Sequence, residues 1–450
     1  MTTTSEPTPP GTTPTSPPAP ASTRRQRRSA FASAWLGWGL DGFETYAIVL
    51  VSSFVVADLI GPNSSAVYVA TIVAVQLVAW ALGGLASGVL IDYFGRRRLL
   101  MYSIVLYTVA TALSALSPNF AVFLILRVIA GFGMGAEWGP GSALVAETWP
   151  DRSRGKGLAL LQSAFGFGFL AATGTFFLLQ QIDGTTTWRW MLAVGAVPAL
   201  LLLFLRSRVH ESPLWETADQ RRRDVVARVR AGEEVDDDDR ALTVFTHRRL
   251  FADPVWRSRM LKLLVLSTAS LVGWWAVSSW IPQYARGIVA ATGGTPATVT
   301  LILLAYNVGG VIGWLAWGVL ADAVGRRWTL WSYYAGALVM TWVLFGLSWS
   351  SIGWLTAVVF VNGIFTLGQM GWMATYPGEL LPTSVRGSAI TIVFNASRFL
   401  AAAGALLSGA IIAGLGGISV AALTIGSIYV LGLVFSLIVG PETRGKPLPR

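Results

Sequence analysis

Residues 88–97 read GVLIDYFGRR, and residues 318–327 read GVLADAVGRR. The two stretches share seven residues at an offset of 230, among them Gly88, Asp92, Gly95, Arg96 and Arg97 in the first and Gly318, Asp322, Gly325, Arg326 and Arg327 in the second. A second pair, ETWPDRSRG at 147–155 and ELLPTSVRG at 379–387, recurs at an offset of 232 and repeats Glu147 and Arg154 as Glu379 and Arg386. Two ordered pairs at nearly the same spacing indicate that the chain is an internal duplication.

Twelve long apolar stretches surround these motifs. They lie at about 31–57, 67–91, 99–117, 120–146, 157–180, 189–205, 261–284, 297–321, 328–348, 352–376, 388–414 and 418–440. Apolar residues make up 54% of the 450 and charged residues only 12%, which is too few charges to cover the surface of a soluble protein of this size. The pattern predicts an all-α integral membrane protein with twelve transmembrane helices in two six-helix pseudo-repeats. It excludes a water-soluble enzyme, and the absence of cysteine excludes a disulfide scaffold.

The basic residues of the chain concentrate in alternate gaps between the apolar stretches. Arg24, Arg96, Arg152, Arg326 and Arg386 mark five of these gaps, whereas the intervening gaps offer only Arg189 and Arg286. This asymmetry follows the positive-inside rule, and it predicts two cytoplasmic termini in a plasma membrane or bacterial inner membrane. The net charge of +10 is therefore explained by topology, and we expect no nucleic-acid partner.

The same pattern divides the chain into five parts. We expect a disordered cytoplasmic tail, a six-helix half, a polar cytoplasmic linker, a second six-helix half and a short cytoplasmic tail, at 1–30, 31–205, 206–260, 261–440 and 441–450. The first apolar run carries Asp41 and Glu44 and no plausible cleavage site, so we expect it to remain as a span rather than to be removed as a signal peptide.

The duplicated motif resembles the loop signature between helices 2 and 3 of the major facilitator superfamily. Further resemblances are RVIAGFGMG from Arg127, ESPLW from Glu211 and PETRG from Pro441. DGFE at Asp41, GAEWG at Gly135 and FNASR at Phe394 are most similar to the sialate/monocarboxylate:proton symporters and the metabolite:proton symporters. The resemblance implies the major facilitator fold and a latch between the halves at the cytoplasmic face.

Under that resemblance, the duplicated residues form the latch. It implies that Asp92 engages helix 11 and that the arginines engage acids such as Glu147, with contacts made when the protein faces outward. The predicted latch comprises Gly88, Asp92, Gly95, Arg96, Arg97, Glu147, Arg154, Gly318, Asp322, Gly325, Arg326, Arg327, Glu379 and Arg386. We expect the motif glycines to let helices 2 and 3 meet around a tight turn.

Five ionisable residues lie inside predicted spans, namely Asp41, Glu44, Arg127, Glu137 and Arg398. A charge at the bilayer centre costs on the order of 3 kcal/mol, so such residues mark candidate functional sites. The two histidines, His210 and His247, lie in the polar segment, so embedded carboxyls would have to carry a coupling proton. Our order of candidates is Asp41, Glu137 and then Glu44, for which an internal ion pair is the alternative.

The second half offers the candidate substrate residues. The repeat maps Glu137 onto the neutral Gln369, while Arg398 maps onto Gly166. A guanidinium can grip a carboxylate with two parallel hydrogen bonds, although an ion pair between Arg398 and Asp41 or Glu137 is an open alternative. The predicted substrate-binding residues are Arg398, Arg127, Gln369, Asn395, Trp275 and Trp372, where the aromatic residues would pack against the substrate or lie between helices.

These residues predict a secondary active transporter that takes up a small organic anion, such as a monocarboxylate, a sialate-like acid or an aromatic acid, together with a proton. A proton-coupled antiporter exporting a drug or metabolite and a carrier resembling sugar porters remain alternatives. We expect no enzyme, because the spans contain neither cysteine nor histidine and no recognisable nucleophile and base. We also expect no cofactor, no metal and a monomeric functional unit.

Overall fold

The twelve long helices appear in a computed structural model that describes residues 24–61, 66–180, 186–207, 211, 213–236, 239, 243 and 246–449. In the first half they are α1 (Arg24–Leu59), α2 (Ala66–Phe94), α3 (Arg96–Ala115), α4a (Phe120–Gly135), α4b (Trp138–Thr148), α5 (Arg154–Gln180) and α6 (Thr187–Ser207). In the second half they are α7 (Pro254–Ala291), α8 (Pro296–Val324), α9 (Arg326–Gly346), α10a (Ile352–Gly368), α10b (Gly371–Leu380), α11a (Thr383–Asn395), α11b (Arg398–Gly414), α12a (Ile418–Gly426) and α12b (Tyr429–Ile438).

Within the described part of the chain, ten of these helices are long and apolar enough to cross a membrane, and α6 and α9 complete the set of twelve. The described residues contain no strand. The architecture is thus the all-α membrane fold that the apolar stretches predict.

Two helices begin seven residues before their predicted bounds. Helix α1 begins at Arg24, so residues 24–30, which were predicted as part of the tail, are helical. Helix α7 begins at Pro254 rather than at residue 261, because Asp253 caps its first turn with hydrogen bonds from the backbone N–H groups of Val255 and Trp256. Between the halves, the described residues include the shorter helices Pro213–Arg230 and Thr246–Ala252. Residues 1–23 and His210 lie outside the described residues.

Helices α4, α10, α11 and α12 are interrupted within their spans. The interruptions of α4 and α10 fall at residues 136–137 and 369–370, and those of α11 and α12 fall at 396–397 and 427–428. Glu137 and Gln369, which the repeat relates to each other, both lie at interruptions. The duplication therefore includes local backbone irregularity as well as sequence.

The two halves meet tightly at one end of the bundle. We call this the motif end, because it carries the turns at Gly95 and Gly325, and we call the other the open end. Both turn glycines have positive φ, 85° and 103°, which glycine adopts without strain. The tight turn expected between α2 and α3 is thus present at Gly95.

Gly88 and Gly318 have a different role from the one expected, since both lie at contacts between the halves. A Cβ on Gly88 would lie 2.0 Å from Oγ1 of Thr391 in α11a. A Cβ on Gly318 would lie 2.4 Å from Cβ of Ala159 in α5. The repeat relates Thr391 to Ala159, so the α2–α11a and α5–α8 contacts are pseudo-symmetric.

Candidate functional site

A cavity of about 900 Å³ separates the two halves on the side of the open end. Its lining comes from α1, α2, α5, α7, α8, α11b and α12a. Its polar and aromatic lining residues are Thr45, Tyr46, Phe169, Trp274, Trp275, Ser278, Ser279, Trp280, Gln283, Tyr306, Asn307 and Ser408. The described residues that line it include no charged side chain.

Asp41 and Arg398 lie beneath the floor of this cavity. They are buried at 0% and 5% exposure, and neither belongs to the lining itself. Thr45, one turn along α1 from Asp41, and Ala401, one turn along α11b from Arg398, do line the cavity. Asp41 belongs to the first half and Arg398 to the second, so an attraction between their opposite charges would act across the two halves. The ion pair between them that the sequence left open stays a prediction.

Arg398 is held from three sides. Its Nη1 donates hydrogen bonds to the backbone oxygen of Phe394 and to Oδ1 of Asn395, the latter at 3.1 Å. Its guanidinium also lies 4.1 Å from the ring centroid of Phe394 and 4.6 Å from that of Trp80. The hydrogen bond to Asn395 thus helps to fix the orientation of the Arg398 guanidinium.

Glu44 and Arg127 form a closed ion pair inside the first half. Nη1 of Arg127 pairs with Oε1 of Glu44, and Nη2 of Arg127 donates to Thr111 at 3.1 Å and to Ser114 at 2.8 Å. Thr111 in turn donates to Glu44 at 2.7 Å. Both charged side chains are buried, and neither lines the cavity.

Gln369 and Trp372 belong to a polar network within the second half. Ser270 in α7 donates to Oε1 of Gln369 at 3.1 Å and accepts from Nε1 of Trp372 at 3.1 Å. Tyr334 lies 2.7 Å from the same Ser270 hydroxyl. Both predicted residues are fully buried, whereas Trp275 is half-buried and lines the cavity.

An aromatic cluster fills the space between the cavity and the motif end. Trp38, Trp80, Trp138 and Phe165 of the first half and Phe394 of the second half form it. The ring centroids of Trp138 and Phe394 lie 3.7 Å apart at an interplanar angle of 14°. Glu137, which precedes Trp138, is buried at 2% exposure, outside the cavity lining.

Ion pairs between the repeated motifs lock the motif end. Arg96 pairs with Glu147 at 3.2 Å, and Arg326 binds Glu379 through two contacts of 2.9 and 3.1 Å. Each acid also faces an arginine of the opposite half, with Arg386 at 3.7 Å from Glu147 and Arg154 at 3.6 Å from Glu379. The repeated motifs thus form two pseudo-symmetric clusters, each made of one glutamate and two arginines.

Asp322 adds a contact between the halves. One carboxylate oxygen accepts from Arg326 at 2.7 Å and the other from the backbone N–H of Lys156, in the first turn of α5, at 3.0 Å. An anion at a helix N-terminus is stabilised by the helix dipole. The prediction that Asp92 makes the equivalent contact with α11 falls on a side chain outside the described ones.

Two acids that the sequence did not identify as site residues cap α3 and α9, the helices that follow the motif turns. Glu211 accepts from the backbone N–H groups of Arg96 at 3.1 Å and Arg97 at 3.0 Å. Glu442 accepts from those of Arg326 at 3.0 Å and Arg327 at 3.3 Å. Their spacing of 231 residues falls between the other two repeat offsets and is the signal that could have identified them.

The C-terminal segment extends this cap. Thr443 donates to Glu379 at 2.6 Å, and the backbone oxygen of Pro449 accepts from Arg386 at 2.8 Å. Partial burial raises the pKa of Glu442, but the backbone N–H groups that donate to it outweigh this effect and leave its pKa below the usual range.

We therefore expect Glu442→Gln to lower thermal stability at pH 7, because the neutral amide is a weaker partner for the first turn of α9. Loss of a helix cap costs about 1 kcal/mol. A carboxyl with a depressed pKa in the folded state stabilises the protein above its unfolded pKa, about 4.3, and loses that contribution as the pH falls through the folded value. Melting of the two proteins at pH 7 and at successively lower pH checks this, and a gap that widens in acid would contradict it.

Sequence and structure comparisons agree with this architecture. The family model described as sugar (and other) transporter matches residues 28–450. A probable 4-methylmuconolactone transporter of Cupriavidus pinatubonensis is 28% identical over 93% of this chain and 92% of its own length. The sialic acid transporter NanX of Escherichia coli is 24% identical over 93% and 95%. The solved structure of the proton:xylose symporter XylE bound to 6-bromo-6-deoxy-D-glucose superposes with a TM-score of 0.75 at 21% identity, covering 94% of this chain and 98% of that one.

The twelve-helix bundle with its duplicated motif is a multi-pass membrane transporter of the major facilitator fold. The chain belongs to the sugar (and other) transporter family.

Proposed function

We propose that the chain is a secondary active transporter that takes up a small organic anion together with a proton. The observation that carries this proposal is the placement of two buried opposite charges, Asp41 and Arg398, one from each half, beneath an aromatic cavity with no charged lining side chain among the described residues. A carboxylate that enters the cavity meets Arg398 as the cation directly below the floor.

The cavity suits a substrate with a mostly apolar body. Aromatic rings such as Trp275 and Trp280 offer large flat surfaces, while Thr45 and Asn307 offer a small number of polar contacts. A buried guanidinium then fixes the orientation of the substrate through two parallel hydrogen bonds. The names of the muconolactone and sialic acid relatives support an organic acid rather than a neutral sugar.

Charge balance couples the proton to the substrate. In the empty carrier, Arg398 and Asp41 neutralise each other. When a carboxylate binds Arg398, Asp41 loses its partner, and protonation removes a buried charge that costs on the order of 3 kcal/mol. Empty and fully loaded carriers are both neutral at the site, so both can reorient through a low-dielectric barrier.

Reorientation requires the motif end to open. The Arg154–Glu379 and Arg386–Glu147 contacts join the two halves, whereas the Arg96–Glu147 and Arg326–Glu379 pairs lie within single halves. We propose that the first two break and the second two persist when the cavity turns inward. The motif end then faces the cytoplasm, in line with its basic loops, and the structure represents the outward-facing state.

Arg398→Gln tests the substrate site. Losing a charge-assisted double hydrogen bond to a carboxylate is expected to raise the apparent KM for uptake by about 100-fold or more. Uptake into proteoliposomes with an inward proton gradient would be measured for lactate, N-acetylneuraminate, benzoate and D-xylose. Arg286→Gln, which removes an exposed arginine of α7, is the matched control and should leave uptake of the accepted acid unchanged.

Two results would contradict the proposal. Saturable uptake of D-xylose with none of any acid would favour a sugar carrier. Equal loss in the Arg398 and Arg286 variants would show that positive charge merely attracts anions to the surface.

A further inference from the structure

The aromatic stack of Trp138 on Phe394 closes the path between the cavity and the motif end. The two rings come from opposite halves and lie nearly parallel, with centroids 3.7 Å apart. Phe394 is 3% exposed and Trp138 is 2% exposed, so both rings are buried.

Phe394 occupies a special position in its helix. It lies at the end of α11a, and the helix is interrupted two residues later, at Ala396 and Ser397. On the motif side of the interruption, α11a packs against α2 of the other half, where Ser388 donates to the backbone oxygen of Gly88 at 2.7 Å. On the open side, α11b begins with Arg398 and then lines the cavity. Phe394 therefore lies where the closed end and the cavity meet.

Arg398 holds Phe394 in place across that interruption. Its guanidinium donates to the backbone oxygen of Phe394 and also lies over the ring, 4.1 Å from the centroid. A cation over an aromatic face is attractive, and more so where water is excluded. The same guanidinium covers Trp80 of the first half at 4.6 Å, so it joins rings from both halves.

We propose that Phe394 and Trp138 are the inner gate of the carrier and that Arg398 keeps this gate shut while the site is empty. Opening the motif end must separate the two rings, because they belong to opposite halves. A ligand that draws the guanidinium toward the cavity removes the cation from the face of Phe394 and weakens the closed gate. The gate proposal rests on the proposed function in one respect, namely that the carrier opens at the motif end.

A single reporter cysteine measures the opening without any substrate. The chain contains no cysteine, so Ser388→Cys introduces a unique thiol. Ser388 is fully buried between the halves, about 9 Å along α11a from Phe394 on the motif side. A water-soluble maleimide therefore reacts with this thiol only when the motif end opens. The measurement uses the full chain in lipid nanodiscs at pH 7.

Phe394→Leu in the Ser388→Cys background is expected to raise the labelling rate about tenfold, since it removes the ring stack but keeps an apolar side chain. Trp138→Leu should have a similar effect from the opposite half. Arg398→Lys keeps the charge but loses the planar stack, and it should raise the rate by about threefold. Phe165→Leu is the matched control, because Phe165 stacks on Trp38 of its own half, with centroids 4.6 Å apart. It should leave the labelling rate unchanged.

The outcomes separate the parts of the proposal. Equal labelling of the Phe394, Trp138 and Phe165 variants would overturn the gate, because the cluster would then be ordinary packing. Faster labelling in the Phe394 and Trp138 variants but not in Arg398→Lys would leave the gate and overturn the role of Arg398. Gel filtration and labelling in denaturant exclude misfolded protein as the cause. Failure of the proposed function would instead appear in the uptake panel, which does not depend on the reporter.

Discussion

Asp41→Asn is expected to abolish proton-driven accumulation of the accepted acid while exchange of internal for external acid continues. In the variant the loaded site is neutral, because the substrate carboxylate still balances Arg398. The empty site carries a net positive charge, because the neutral amide at position 41 cannot balance the guanidinium of Arg398. A buried charge of that kind costs on the order of 3 kcal/mol, which corresponds to a return of the empty carrier that is about 100-fold slower or more.

Two assays on the same proteoliposomes check this expectation. Net uptake is measured with a proton gradient and empty vesicles, and exchange is measured with vesicles preloaded with the unlabelled acid. Asp58→Asn is the matched control, since it makes the same substitution in the same helix at a half-exposed acid that pairs with Arg189. It should retain both activities. Net uptake by Asp41→Asn with normal dependence on the proton gradient would refute the assignment, and Glu137→Gln would then be the next variant to measure.

The sequence allowed the fold to be predicted because its main signals are local or periodic. Long apolar stretches indicate spans, basic gaps indicate orientation, and two offsets near 231 indicate the duplication. The predicted helix bounds were less accurate where an N-cap residue, rather than hydropathy, determines where a helix begins, as at Asp253 before α7. The interruptions of α4, α10, α11 and α12 carry no hydropathy signal and became visible only in the structure.

The site could be predicted only in part, because its contacts join residues far apart in the chain. Embedded charges identified Asp41 and Arg398 individually, but their positions relative to each other and to the cavity depend on how two helices from different halves pack. Gly88 illustrates the same limit. Its motif suggested a role in the turn beside it, whereas its neighbour is Thr391, about 300 residues away. By contrast, the Trp138–Phe394 stack has no repeat signature and could not have been inferred.

The Glu44–Arg127 pair leads to the largest expected effect on stability. Both side chains are buried, and their hydrogen bonds to Thr111 and Ser114 join α1, α3 and α4a. Arg127→Met removes the cation and leaves Glu44 uncompensated, and breaking a buried pair in this way costs about 3–5 kcal/mol. We expect a fall in the melting temperature of about 3–5 °C in detergent.

The double variant Glu44→Gln/Arg127→Met separates structure from transport. Removing both charges leaves no uncompensated ion, so much of the lost stability should return, since replacing a whole buried pair is often nearly neutral. If the pair is structural, the apparent KM of the double variant for the accepted acid and its dependence on the proton gradient should match those of the unmodified protein. A stable double variant with no proton dependence would instead identify Glu44 as the coupling acid and remove that role from Asp41. Since the carboxylate of Glu44 is already held by Arg127 and Thr111 within the first half, we expect the first result.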